Sequence, residues 1–466
     1  MIGLKNIRVT LIIFFAAMGG MLYGYDIGIL SGALLFIQKD IQMSVFQESL
    51  LGAAVLGGGA FAILICGYLA DIYGRKRMII VSGSIFIFSV GIIYLANSYT
   101  FLFLGRLIQG VAVGFIAITV PLYLTETAPS KIRGFAVVSF QLMLTIGIVI
   151  ANLVALAFTS TGDWRGMFLT ALVPGIIMLA GSFFLVKSPR WLMLKGREGE
   201  ALESLKKTRG TEIAINSFNE MKKTLQRINM HQKRTISFFA ACKERKNLVP
   251  MVIVFAIAIL AQLTGINSFL QFSAKILSDA GFTSNFMAVA GSSLVAAINV
   301  FATIIAIFIA DRFERKYIVA FGTLGVSIVL ISSGFILQMM PNSLEKGYIM
   351  LGGLLLFIFF FAVGPGALVW IVMSELLPTA VRSKGLAIAL FLNSIASAIL
   401  ASVFLPISQL IGIGGMFVFC GICTIVYCGV ALQYIPKTKN RSLEDIELEF
   451  AEKARIDLEE EIATSA

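Results

Sequence analysis

Apolar residues in this chain run in long stretches separated by short clusters of charge, with no strand-like alternation. A helix that crosses a bilayer needs about 20 predominantly apolar residues. The pattern predicts twelve such spans, roughly 9–37, 46–70, 77–97, 99–125, 134–158, 165–187, 248–275, 285–310, 317–339, 347–377, 384–410 and 413–435. Lys5 and Arg8 ahead of the first stretch imitate a signal peptide. That stretch continues through Tyr23-Gly24-Tyr25-Asp26 with no convincing cleavage site, so it reads as an uncleaved first span.

The charges between the spans set an expected orientation. Arg75-Lys76-Arg77, Lys131, Arg133, Arg312, Arg315, Lys316, Arg382 and Lys384 fall in loops on one side. The other side shows little beyond Lys39, Arg165, Lys275 and Lys346. The positive-inside rule then puts both termini in the cytoplasm. Residues 190–247 form a polar stretch with Lys206-Lys207, Lys222-Lys223 and Lys243-Glu244-Arg245-Lys246. It reads as a linker of short amphipathic helices on the inner membrane face, beside anionic lipid, with protein docking as the alternative. The tail, 436–466, turns acidic and is expected to be a solvated cytoplasmic helix.

The two halves repeat. Gly67-Tyr-Leu-Ala-Asp71-Ile-Tyr-Gly74-Arg75-Lys76-Arg77 after span two recurs as Asp311-Arg312-Phe-Glu314-Arg315-Lys316 after span eight. Glu126-Thr-Ala-Pro129-Ser-Lys-Ile-Arg133-Gly134 after span four recurs as Glu375-Leu-Leu-Pro378-Thr-Ala-Val-Arg382 after span ten. Two motifs repeating in order imply a duplicated six-span unit. The expected domains are a six-helix bundle at 1–189, the linker, a second bundle at 248–435, and the tail.

Composition narrows the class. With 58% apolar and 14% charged residues the chain is neither disordered nor a soluble enzyme. The net charge of +11 sits between apolar segments, which fits membrane topology and not nucleic-acid binding. A single histidine, His231, argues against histidine metal sites and a Ser–His triad. Cys420-x-x-Cys423 has redox spacing but lies in an apolar helix, where packing is the better reading. No Gly-x-x-x-x-Gly-Lys-Ser/Thr loop supports ATP drive. No metal, cofactor or disulfide is expected.

These motifs, with Gly24-Tyr25-Asp26, Gly105-Arg106, Pro121-x-Tyr123, Ser188-Pro189-Arg190-Trp191-Leu192, Gln262-x-x-Gly265-Ile266-Asn267, Gly364-Pro365, Trp370 and Ser374-Glu375, form an ordered set. By this set the chain resembles the sugar porter family of the major facilitator superfamily, particularly bacterial proton–sugar symporters of the xylose/galactose type. The resemblance implies an all-α membrane protein with two six-helix repeats, located in the bacterial inner membrane and acting as a monomer.

Two charges lie inside apolar spans, Asp26 and Arg106. A central ionisable residue costs about 2.5–3.5 kcal/mol on translocon scales, which marks it as functional. A carboxylate beside a guanidinium stays ionised, and one moved away into an apolar site takes a proton. The resemblance assigns proton coupling to this pair. Sugar hydroxyls both donate and accept, so neutral amides suit them. Gln141, Gln262, Asn267, Gln271, Asn299 and Asn393 are amides within spans. Asn267 and Gln271 are expected to share a helix face, and Gly265 to loosen the helix between Gln262 and Asn267. By family position Gln141, Gln262, Asn267, Asn299 and Trp370 match substrate contacts, with Tyr23 a weaker candidate. Asp71, Arg75, Glu126, Arg133 and Arg190, with Asp311, Arg315, Glu375 and Arg382, read as a cytoplasmic latch.

Departures from the family pattern leave the sugar open. Ala261 replaces the first of two glutamines, Gln271 replaces an aromatic residue, and Ser394 follows Asn393 where relatives often have Trp. Lys187 and Lys437 stand where relatives carry glutamate, and Glu314 where they carry glycine. The lysines are expected to repel the basic latch or to seek other acids. Glucose, galactose, xylose or a cyclic polyol such as myo-inositol all fit. The expected function is proton-coupled symport by alternating access, with an uncoupled facilitator and a sugar-sensing receptor as alternatives.

Overall fold

The computed structural model describes residues 4–129, 132–232, 242, 244–310, 312–378, 381–438, 441, 445–446 and 449–450. Among them there is no strand. Spans one to five are the helices Leu4–Asp40, Val45–Tyr73, Arg75–Tyr94, Tyr99–Thr127 and Arg133–Ala157. Span six comes in two pieces, Trp164–Leu169 and Leu172–Phe184. Span seven is also broken, into Arg245–Leu263 and Ile266–Ala280. Spans eight and nine are Asn285–Ala310 and Arg315–Met339. Span ten runs as Leu344–Phe361, a wide turn at Ala362–Gly366, then Ala367–Leu376. Spans eleven and twelve form one helical stretch, Arg382–Tyr434, turned at Gly412 with φ +73°. Length and hydropathy alone count eleven crossing segments, the last 51 residues long. The corner at Gly412 divides that segment and brings the number to twelve.

Packing follows from glycine. A Cβ on Gly20, Gly24 or Gly28 of span one would fall 2.3, 1.8 or 2.7 Å from backbone oxygens of span five. Gly58, Gly110 and Gly114 bring spans two and four equally close. In lipid, where apolar side chains gain nothing by meeting each other, small residues let backbones approach and dispersion hold them. Large apolar side chains such as Phe88, Phe135 and Phe308 point outward from the bundle.

The two six-helix units meet along spans two and eleven and along spans five and eight, with span one against the second piece of span seven. Span eight is the repeat equivalent of span two, and span eleven of span five. The two side interfaces are therefore one interface seen from either half, which is how a duplicated unit builds a two-fold bundle.

The linker lies at one end of the bundle, here named the linker end, and the opposite end is named distal. Short helices Pro189–Leu194 and Glu198–Arg209 are followed by Thr211–Gln232. Trp191 Nε1 donates to the Asp71 carbonyl at 2.9 Å and Arg209 Nη2 to the Ala128 carbonyl at 3.3 Å, docking the linker on the first unit. The tail departs from expectation. Ile446 and Phe450 are buried in an apolar cluster with Met251, Val254 and Tyr427, so this part is docked and not solvated. Its apolar face finds an uncovered patch on the second unit, which the acidic composition hid. Residues 451–466 lie outside the described residues.

Gly265 was expected to loosen span seven, and it interrupts it outright. Its φ of +85° is left-handed, and a Cβ there would meet Phe269 at 2.6 Å. Gly265→Ala is therefore expected to cost about 1–3 kcal/mol of stability. A thermal-shift measurement on purified protein checks this, and an unchanged Tm would remove the break's dependence on glycine.

Candidate functional site

Asp26 on span one and Arg106 on span four are both fully buried. Arg106 Nη1 donates to Asp26 Oδ1, and also to Gln109 Oε1 at 3.0 Å one turn along its own helix. The guanidinium carbon lies 5.6 Å from the Phe168 ring centre of span six, a cation–π distance. Arg106 Nε and Nη2 have no hydrogen-bond partner among the described residues. The pair thus sits in an apolar shell with donors in reserve. Gln109, the second acceptor, escaped the sequence reading because nothing separates it from other span amides until the helix phase is known.

The break at Gly265 gathers three of the expected amides. Asn267 Nδ2 donates to Gln262 Oε1 at 2.9 Å across the break and to Ser397 Oγ at 2.8 Å. Gln262 Nε2 donates to Asn393 Oδ1 at 3.1 Å, and Asn393 Nδ2 to the Ala258 carbonyl at 2.9 Å. Spans seven and eleven are joined by this chain of amides. Ser397, one turn beyond Asn393, was missed because a lone span serine usually bonds to its own helix.

Gln271 makes no bond to this chain of amides. It lies one turn beyond Asn267 on the same helix, on the expected face, and lines a narrow cleft with Tyr23, Ile27, Val55, Gly59 and Ser394. That cleft lies between the two units, with walls from spans one, two, four, seven and eleven. Tyr23 precedes Asp26 by about one helical turn, so the cleft and the ion pair share span one. Asn299 is buried on span eight, Gln141 is half-buried on span five, and Trp370 is exposed on span ten. None of these three borders the cleft.

A family model described as "Sugar (and other) transporter" matches residues 12–450. The chain belongs to the sugar porter family of the major facilitator superfamily. It is 33% identical to the glucose transporter GlcP of Staphylococcus epidermidis, over 95% of this chain and 97% of that one. It is 33% identical to the galactose-proton symporter of Escherichia coli K12, over 96% and 95%. Its fold superposes on the inward-open xylose transporter XylE from E. coli with a TM-score of 0.79 at 24% identity, over 94% and 99%. This sugar porter is a multi-pass membrane transporter and not an enzyme.

At the linker end, the charged motifs pair within each unit. Arg75 Nη1 lies 2.9 Å from Asp71 Oδ1, and its Nε lies 3.0 Å from Glu126 Oε2. Ser188 Oγ donates to the same Glu126 oxygen at 2.5 Å. In the second unit Arg315 Nε lies 3.5 Å from Glu375 Oε1, and Arg382 Nε donates to the Leu377 carbonyl at 2.9 Å. Arg133 and Arg190 are exposed and stand apart from these pairs. Asp311 lies outside the described residues. Lys187 donates to Glu200 at 3.0 Å, so it has sought another acid. The Lys187 ammonium and Arg197 guanidinium hold the Glu200 carboxyl below its usual range.

The polar contacts that join the two units gather at the distal end. Ser31, Ser273 and Ser292 bond to one another, and Ser292 Oγ donates to Asn152 Oδ1 at 2.7 Å. Ser49 Oγ accepts from the Leu405 backbone at 3.0 Å. Lys275, expected in a loop, lies within the helix Ile266–Ala280, 3.5 Å from the fully buried Glu48 of span two. Its long stem passes apolar surface while the ammonium reaches the acid, a placement that a hydropathy profile reads as a span edge. The distal end is closed in this structure.

Lys275→Met leaves Glu48 without its cation and is expected to cost about 2–3 kcal/mol, less than a fully enclosed pair because Lys275 keeps some exposure. Adding Glu48→Gln should recover most of the loss. Thermal stability of the two single variants and the double variant checks it. Additive losses would show that the pair carries no coupling.

Proposed function

We propose that this sugar porter is a proton-coupled importer of a monosaccharide or cyclic polyol, working by alternating access with its linker end in the cytoplasm. The observation that carries the reading is the Asp26–Arg106 pair, enclosed in apolar side chains on the span that also lines the cleft. A relative named as a galactose-proton symporter, 33% identical over nearly the whole chain, supports it. Bacterial relatives and the basic linker-end loops support an inner-membrane location with both termini inside.

In this reading Arg106 holds Asp26 ionised in one arrangement of the spans. When span one shifts, the carboxylate leaves the guanidinium, meets an apolar surround and takes a proton. Gln109 Oε1 then keeps the guanidinium partly satisfied while the acid is away. Sugar enters the central cleft and exchanges the amide–amide bonds of Gln262, Asn267 and Asn393 for bonds to its hydroxyls. Tyr23 offers a ring face in the cleft wall, and Gln141, Asn299 and Trp370, which stand outside the cleft in this arrangement, join the sugar's surroundings as the units move. Asp71, Arg75, Glu126, Arg133, Arg190, Asp311, Arg315, Glu375 and Arg382 close the linker end when the distal contacts open. Each step requires the two units to rock about the site and leave their interiors intact.

Asp26→Asn is expected to abolish gradient-driven sugar accumulation in proteoliposomes and to leave counterflow in place. Accumulation that persists under an imposed pH gradient would make this chain's coupling independent of Asp26. Accumulation absent in the unaltered protein as well, with counterflow intact, would identify an uncoupled facilitator.

Gln262→Ala and Asn267→Ala should each weaken sugar binding about tenfold or more, since each leaves a buried hydroxyl unpartnered at about 1–3 kcal/mol. Calorimetry with the preferred sugar measures it. Unaltered affinity in both variants would leave these amides as ties between spans seven and eleven only.

A further inference from the structure

Gln109 is fully buried on span four, about one turn from Arg106. Its Oε1 accepts from Arg106 Nη1 at 3.0 Å, the same nitrogen that donates to Asp26. Its Nε2 is a buried donor with no partner among the described residues. Leaving that donor unpaired costs stability that an apolar side chain of the same size would save. What the amide gives in return is its oxygen, held against the guanidinium.

The surrounding contacts decide which member of the trio can move. Span four is fixed to its neighbours on both sides of Arg106. A Cβ on Gly105 would fall 2.7 Å from the Ile93 side chain of span three, and one on Gly110 would fall 2.3 Å from the Val55 carbonyl oxygen of span two. Against span one the seam is softer. A Cβ on Gly19 would meet side-chain methyls of Val120 and Ile116 at 2.9 and 3.0 Å, and not backbone. Arg106 and Gln109 therefore stay together when span one shifts, and Asp26 is the one that leaves.

Among the described residues no other charge acts on the pair. Span five holds no acid or base beyond Arg133 at its linker end, and span eight holds none. Lys275 and Asp279 of span seven sit with Glu48, and Arg165 of span six sits with Asp40. Tyr23 is the titratable neighbour on the helix of Asp26, and the Tyr25 hydroxyl is spent on Met167 and Thr170. With Asp26 in place, loss of the Gln109 oxygen still leaves the guanidinium its carboxylate. With Asp26 away, the same loss leaves a buried cation with only the Phe168 ring face, which is far costlier. Gln109 thus favours the separated arrangement over the paired one, and only such a difference shifts an equilibrium.

We infer that Gln109 is a positioning residue that sets how readily Asp26 leaves Arg106 to take its proton. This rests on the transport reading above and deepens it. A neutral amide is the intermediate choice at this place. A carboxylate would claim the guanidinium outright, and an apolar side chain would bind it more firmly to Asp26.

The test is the pH dependence of uptake by the full chain in proteoliposomes. The ligand is whichever of D-glucose, D-galactose, D-xylose and myo-inositol the unaltered protein accumulates best. A fixed membrane potential drives uptake with equal pH on both sides, and the rate falls on the alkaline side as proton loading fails. Gln109→Met, which keeps length and removes the acceptor, should move that midpoint about one pH unit lower, a tenfold rise in the proton concentration required. Gln109→Glu should move it about one unit higher, because a second carboxylate holds the guanidinium and releases Asp26. Thermal-shift profiles like the unaltered protein's confirm folding, Gln109→Leu is a second apolar replacement, and the apolar variants decide alone if the acidic one does not fold. A role in packing only would change rates and leave the midpoint in place. Midpoints that stay fixed, or that move the same way in the apolar and acidic variants, would overturn the inference while the transport reading stands. If the unaltered protein accumulates no ligand under the potential, proton coupling and this role fall together.

Discussion

Lipid tails offer no hydrogen bond, so every polar group that enters the bilayer within this protein must find its partner inside the helix bundle. That constraint organises the interior. Asp26 meets Arg106, the amides of spans seven and eleven meet one another, and Ser31, Ser273, Ser292 and Asn152 close into a cluster between the units. Gln271 is the exception in the cleft wall, a buried acceptor with nothing to accept from.

The same constraint makes motion affordable only in certain places. Contacts inside each unit are backbone against backbone through glycine, with spans one and five and spans two and four too close to separate without opening voids. Contacts between units are different in kind. Beside apolar ones such as Ala53 and Leu56 against Ala398 and Ala401, the polar ones gather at the distal end, and each hydroxyl or charge there can be taken over by water when that end opens. A sugar porter that rocks as two rigid bodies needs this division. The charged pairs of the linker end stay within their own units here, which fits an arrangement where that end is not the closed one.

Broken spans serve the site in a related way. Gly265 frees backbone and redirects side chains next to the central amides, and the Ala362–Gly366 turn does so where Gly364 meets Gly322 of span nine. Irregular backbone at this depth is tolerated where it borders a polar cavity. The break at Gly265, one left-handed residue, lets Asn267 reach back to Gln262 across it.

Much was legible from the sequence by physical rule. Twelve spans, the duplicated half and the family follow from apolar run length and from motifs whose order does not depend on packing. Asp26 and Arg106 stood out because charge inside an apolar span is expensive wherever the span lies. The tertiary structure decided what depends on helix phase and on neighbours far along the chain. Lys275 belongs to a span and pairs with Glu48, the tail docks through Ile446 and Phe450, and three serines and Asn152 from four different spans converge. Run length records how apolar a segment is, but a hydrogen bond between residues some 240 positions apart depends on which faces two helices turn toward each other. That choice is made by packing of the whole bundle, and no local stretch of sequence contains it.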